Sequence, residues 1–138
     1  MAFVNPPDEV VREILATPRT IAVVGCSPRP DRDSHRIAAL LQSRGHRVIP
    51  VHPAGGEILG ERCYPTLRDV PAAVEMVDVF RRAEEAGTVA DEAIAIGAKI
   101  LWLQLGVIDE AAALRARAAG LTVLMDRCPA IEYRRLFR

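Results

Sequence analysis

The chain has 138 residues, and a domain of that length buries roughly two-thirds of its unfolded surface, so it needs no disulfide or metal staples. Eighteen basic residues balance eighteen acidic ones, which excludes a global field that would gather nucleic acid or an anionic membrane. Half of the residues are hydrophobic and only 4% are aromatic, which excludes disorder and suits helices packed on aliphatic strands.

Read in chain order, Asp8 to Ala16 forms a short amphipathic helix with an apolar stripe of Val10, Val11, Ile14 and Leu15. Pro6 and Pro7 precede it, and Thr17-Pro18 ends it. Thr20 to Val24 (TIAVV) is a β-branched strand closed by Gly25, followed by a polar, proline-rich loop from Cys26 to Asp33. Ser34 caps a second helix running to about Arg44, with Gly45 at its end. Arg47 to Val51 (RVIPV) is the second strand, and His52 to Thr66 a long loop with a short extended piece near Cys63 and Tyr64. Asp69 to Ala73 is a helical turn, and Val77 to Phe80 (VDVF) the third strand. Thr88 to Ile96 is a helix, Lys99 to Leu103 (KILWL) the fourth strand, and Asp109 caps a helix to Ala119. Leu121 to Met125 is the fifth strand, and Tyr133 to Phe137 a short terminal helix.

Apolar strands alternating with amphipathic helices indicate an α/β domain spanning residues 1–138, with a mostly parallel five-stranded sheet covered on both faces. Right-handed crossovers place all strand C-termini on one edge, where ligands of such sheets bind. The three cysteines, Cys26, Cys63 and Cys128, form no CxxC pair, so neither a disulfide framework nor a zinc site is expected. There is no basic signal segment or membrane-length apolar run, and a reducing cytoplasm is the expected compartment. Cys63 reads as a packed small hydrophobe, and His46, after Gly45, as solvent-facing.

Five loops meet the ligand edge. In the first, Gly25 permits a tight turn, amides from Cys26 onward are free to hold a phosphate, and Ser27 and Arg29 suit the same task. A plain strand-to-helix turn needing one glycine is the competing reading. A dinucleotide GxGxxG fingerprint is met at one glycine of three, and Val51-His52-Pro53 lacks the acidic residue that holds an NAD ribose. The third loop offers Phe80 for an adenine ring and Arg81 for a phosphate, unless Phe80 is core and the arginines are solvated. The fourth offers Gln104, as ligand contact or loop anchor, and Gly106. The fifth offers Cys128, as a ligand-packing thiol or as a nucleophile should His52 lie within reach. No GxxxxGK[ST], HExxH or GxSxG motif occurs.

The succession IAVVGCSPRPDRDSHRIAALLQSRGHRVIPVHP, GEILGERCYPTL, VDVFRR, GAKILWLQLG and MDRCPAIEY resembles the CoA-binding protein family. These are small stand-alone proteins similar to the N-terminal CoA-binding domain of the succinyl-CoA synthetase alpha subunit. The resemblance covers about Thr17 to Tyr133. It implies a Rossmann-like fold, with coenzyme A or an acyl-CoA as ligand along the strand C-termini. It implies that Gly25, Ser27 and Arg29 meet the phosphates and that His52 and Pro53 lie beside the ligand. Phe80 and Arg81 would then flank the nucleotide and Gln104 and Gly106 the cleft, and Cys128-Pro129 matches part of an AsnCysPro element in the synthetase subunit. The synthetase's phosphohistidine domain has no counterpart in the sequence, so binding is expected rather than ligase activity. The alternatives are a subunit or fragment of an acyl-CoA synthetase or transferase, and an NAD(P)-linked redox protein. A protein partner or a homo-oligomer is compatible with every reading.

Overall fold

Five parallel strands form one sheet in a computed structural model that describes residues 2–137. The strands are β1 (Thr20–Val24), β2 (Arg47–Val51), β5 (Met76–Val79), β6 (Ile100–Leu103) and β7 (Thr122–Leu124), in the order β2-β1-β5-β6-β7. A separate antiparallel hairpin joins β3 (Glu57–Ile58) to β4 (Glu61–Arg62). The helices are α1 (Asp8–Ala16), α2 (Asp33–Ser43), α3 (Ala83–Ala95), α4 (Glu110–Ala118) and α5 (Pro129–Leu136). The architecture is α/β, doubly wound and Rossmann-like.

Strand periodicity divides the core in two. Ala22, Val24, Val77, Val79, Leu101 and Leu103 face the alanines of α3 and α4, whose small side chains let those helices lie close to the sheet. Ile21, Val23, Met76, Ile100 and Trp102 face α1, α2 and Tyr133 of α5. Pro50 sits in β2, at the sheet edge, where a missing N–H is tolerated. Among the described residues no helix is long and apolar enough to cross a membrane.

Several boundaries differ from the sequence reading. α3 begins at Ala83 rather than Thr88. A mid-helix glycine costs roughly 1 kcal/mol, but burial of Ala86 and Ala90 and the acidic pair Glu84 and Glu85 in the first turn carry the helix through Gly87. α5 begins at Pro129, because proline at the first helical position fits the φ a helix needs. The turn expected at Asp69–Ala73 is a 3-10 helix at Leu67–Asp69, fixed by a capping box between Thr66 and Asp69. The hairpin turns at Leu59 and Gly60, both left-handed, as a type I′ turn requires. Tyr64, expected in an extended piece, forms a parallel bridge to Val51.

His46 does not face solvent: it is buried, 5% exposed. Its Nδ1 accepts the Arg19 backbone N–H (3.1 Å), so Nε2 carries the ring proton and lies 2.9 Å from the Tyr133 hydroxyl. That hydroxyl donates to the Leu15 carbonyl at 3.2 Å. A single relay thus ties α1, β1, β2 and α5 together. Burial holds the imidazole pKa below 6.5, with the Leu15 carbonyl opposing the shift.

The carboxyl ends of β1 and β5 approach so closely that a Cβ on Gly25 would lie 2.1 Å from the Phe80 carbonyl oxygen. Gly25 also has φ +87°, which other residues rarely adopt. The glycine thus serves a backbone crossing inside the fold.

Two outcomes are expected in urea unfolding. Gly25→Ala loses about 2–5 kcal/mol, from left-handed strain plus overpacking against backbone. For His46, the unfolded chain binds the ring proton more readily than the fold does. Stability is therefore complete above pH 6.5 and falls as pH drops below it through the lower folded pKa. His46→Phe leaves the Arg19 N–H unpaired and costs about 1–3 kcal/mol at pH 8, a deficit that narrows at pH 5.

Candidate functional site

The strand order reverses between β1 and β5, and there the chain leaves β1 toward α2 on one face and β5 toward α3 on the other. Such a switch point opens a crevice at the strand C-termini. A cleft of about 1330 Å³ occupies it.

Nine of the eleven candidates from the sequence reading line this cleft. Gly25, Ser27 and Arg29 belong to the β1–α2 loop, His52 to the end of β2, and Phe80 and Arg81 to the β5–α3 loop. Gln104 and Gly106 come from the β6–α4 loop, and Cys128 caps α5. Two candidates lie elsewhere. Pro53 is exposed and off the cleft, and the Cys26 side chain is fully buried under the sheet end. Burial, then the nearby Cys63 thiol and Asp78 carboxyl, push the Cys26 thiol up to about 12. Cys63 is buried as expected, at 3% exposure.

The amides of the first loop are not free. Gly25 and Cys26 both donate to the Val51 carbonyl, at 2.8 and 3.3 Å. Ser27 N–H donates to Ser34 Oγ at 2.9 Å, and Arg29 N–H to Ser27 Oγ at 3.1 Å. Pro28 and Pro30 have no N–H. A partly buried turn must satisfy its donors, and two serine hydroxyls stand within reach. Ser34 thus serves the loop instead of capping α2, whose N-cap residue is Arg32. No side chain caps α2 among the described residues, so its first turn presents backbone donors to the cleft.

Charge is concentrated here although the chain is neutral overall. Six arginines line the cleft against two aspartates, Asp31 and Asp33. Arg29 pairs with Asp31 at 3.5 Å, Arg36 with Asp33, and Arg82 with Glu84 at 3.5 Å. Arg32, Arg81 and Arg134 make no ion pair among the described residues. Arg32, Arg36 and Arg134 are absent from the sequence-derived set. Arg36 follows Arg32 by one helical turn, a spacing that signals a shared face, whereas Arg134 reaches the cleft only through the early start of α5.

Asp78 also escapes the sequence reading, although a carboxylate inside the apolar run VDVF is itself a signal. It is fully buried, and its Oδ1 accepts the Gln104 side-chain amide at 2.8 Å. Its Oδ2 is without a partner. Burial raises this carboxyl to about 7, against the lowering effect of the Gln104 hydrogen bond.

Gly106 N–H donates to Asp126 Oδ1 at 2.8 Å, clasping the loops after β6 and β7. His52 Nδ1 accepts the Ala54 N–H at 3.1 Å. No hydrogen bond joins His52 to Cys128 among the described residues. No group of three or more His, Cys, Asp or Glu that could hold a metal ion occurs among them either.

Residues 19–134 match the model of a family described as CoA binding domain. Over 124 residues the chain is 39% identical to the uncharacterized protein YneT of Bacillus subtilis, covering 90% of this chain and 92% of that one. A solved hypothetical protein from Pyrococcus horikoshii superposes with a TM-score of 0.91 at 37% identity, covering 100% of both chains. A 64-residue stretch is 34% identical to ADP-forming acetate–CoA ligase I of Archaeoglobus fulgidus, covering 46% of this chain but 9% of the ligase.

Asp78 makes stability fall as pH rises from about 4 to about 7, because the fold holds the proton that the unfolded chain, with a pKa of 3.8, releases. Its slope opposes that of His46. Denaturant titrations of Asp78→Asn across pH 4 to 8 are expected to lack the falling component.

Proposed function

Because the chain belongs to the CoA binding domain family, we propose that it binds coenzyme A or an acyl-CoA along the switch-point cleft. The single observation that carries this reading is the set of guanidiniums from three elements, Arg32, Arg81 and Arg134, that make no ion pair among the described residues and surround one cleft in a neutral chain. Unpaired arginines seek phosphate oxygens, which they bind in pairs of charge-assisted hydrogen bonds. The uncapped first turn of α2 adds backbone donors and the positive end of the helix dipole. The phosphate cradle is therefore the helix start with its arginines, and the loop amides serve to hold it in shape.

The Ser27 hydroxyl accepts from Arg29 N–H and keeps its own proton for a phosphate oxygen. Arg29 reaches a ligand by exchanging Asp31 for phosphate. Half-buried Phe80 lines the same cleft and offers apolar surface to the adenine. The cleft volume of about 1330 Å³ exceeds the ~300–1,000 Å³ usual for small-molecule sites, as a long ligand requires. The end of β2 brings His52 instead of a ribose-binding acid, which disfavours NAD.

We assign a binding role without catalysis. A thiol nucleophile needs a base, and among the described residues no histidine is hydrogen-bonded to Cys128. Three free thiols suit a reducing cytoplasm.

Titration calorimetry is expected to show saturable binding of CoA, weakening with salt, and none of NADH. Arg81→Ala and Arg32→Ala each lose about 1–3 kcal/mol of binding. Saturable NADH binding without CoA binding overturns the reading, and unchanged affinity in both variants removes the cradle.

A further inference from the structure

We infer that Gln104 presents its side-chain carbonyl, not its amide nitrogen, to the ligand, and that Asp78 is the positioning residue that sets this orientation. The inference rests on the CoA reading and extends it to the ligand's uncharged, amide-bearing arm.

The geometry starts below the cleft floor. Gln104 Nε2 donates to Asp78 Oδ1 at 2.8 Å, and the two residues are 5% and 0% exposed. With the nitrogen turned inward, Oε1 lies on the other side of the same planar amide. No described residue donates to Oε1, and it is not among the buried atoms left without a partner. It is therefore open to the cleft that Gln104 lines. The orientation is fixed while the carboxyl is ionised, because both of its oxygens then only accept. An asparagine at 78 would lack this property, since its own amide either accepts from Gln104 or donates to it.

The surroundings define what Oε1 would accept. Leu105 and Val107 flank Gln104, and Ile131 lines the same cleft. Leu105 and Ile131 are 54% and 39% exposed, so apolar surface is available to a ligand in the cleft. One acceptor beside an apolar wall complements an uncharged chain bearing an N–H between methylenes. The pantetheine arm of CoA has that chemistry, and the adenosine bisphosphate end does not.

The test compares wild type, Gln104→Met and Asp78→Asn by calorimetry with CoA, pantetheine and adenosine 3′,5′-bisphosphate, with thermal melts alongside. Both variants are expected to weaken CoA and pantetheine about tenfold, as loss of one buried hydrogen bond implies. Adenosine bisphosphate affinity is expected to stay within roughly twofold, and the Asp78→Asn melt at or above that of wild type, as removal of a strained buried carboxyl implies. A purely structural role for Asp78 would move the melt and leave CoA affinity alone. Wild type that binds CoA alongside variants that bind it equally well overturns this inference alone. Equal weakening of adenosine bisphosphate also overturns it. Wild type that fails to bind CoA removes the reading beneath it and the inference together. Should Asp78→Asn not fold, Gln104→Met decides.

Discussion

Where β1 and β5 end, two backbones cross with no room between them for a methyl group. The contact is possible only at glycine. From it the chain departs in opposite directions, to α2 over one face of the sheet and to α3 over the other. The crevice left between those departures is the cleft. Ser27, Arg29, Arg32 and Arg81 lie on the two segments that leave this crossing. The Phe80 N–H bond to the Val24 carbonyl, at 2.8 Å, closes the same junction from the other strand.

The second organising fact is electrostatic. A chain with no net charge places six arginines around one crevice. Two of them pair with aspartates on the same short stretch, Asp31 and Asp33. In the proposed complex an incoming phosphate would compete with them for those guanidiniums. Apparent affinity is then the difference between two ion pairings, smaller than a count of arginines suggests. The buried Asp78 and Gln104 work differently: their pairing is screened from water and sets orientation rather than charge.

Much of the architecture was legible in the sequence, because parallel strands buried on both faces are continuous aliphatic runs, as TIAVV and KILWL are. Gly45, expected at the end of the second helix, is left-handed there, as are Gly97 and Gly120 after the later helices. The misses share a cause. His46 and Arg134 owe their roles to a partner far away in the chain or to a helix start one turn earlier, and Ser34 to a loop amide seven residues before it; no local pattern reports a contact between residues 46 and 133. The hairpin at Leu59-Gly60 was hidden because leucine is an uncommon left-handed residue, tolerated here while its carbonyl accepts from Gln42. For the cleft, loop position alone located most of the lining. It did not separate an amide that is free from one already used by a serine, which only coordinates reveal.

The remaining consequence concerns the flanks of the sheet. An open sheet ends in unpaired backbone on both sides, a standing invitation to recruit a strand from a neighbour. Here the β7 side is engaged by Asn5, whose side-chain amide donates to the Met125 carbonyl and accepts its N–H, at 3.0 and 2.8 Å. On the β2 side, Tyr64 exchanges bonds with Pro50 and His52. One side-chain amide and one loop residue thereby imitate missing strands. Both contacts occupy backbone groups that a strand from a neighbouring copy would need.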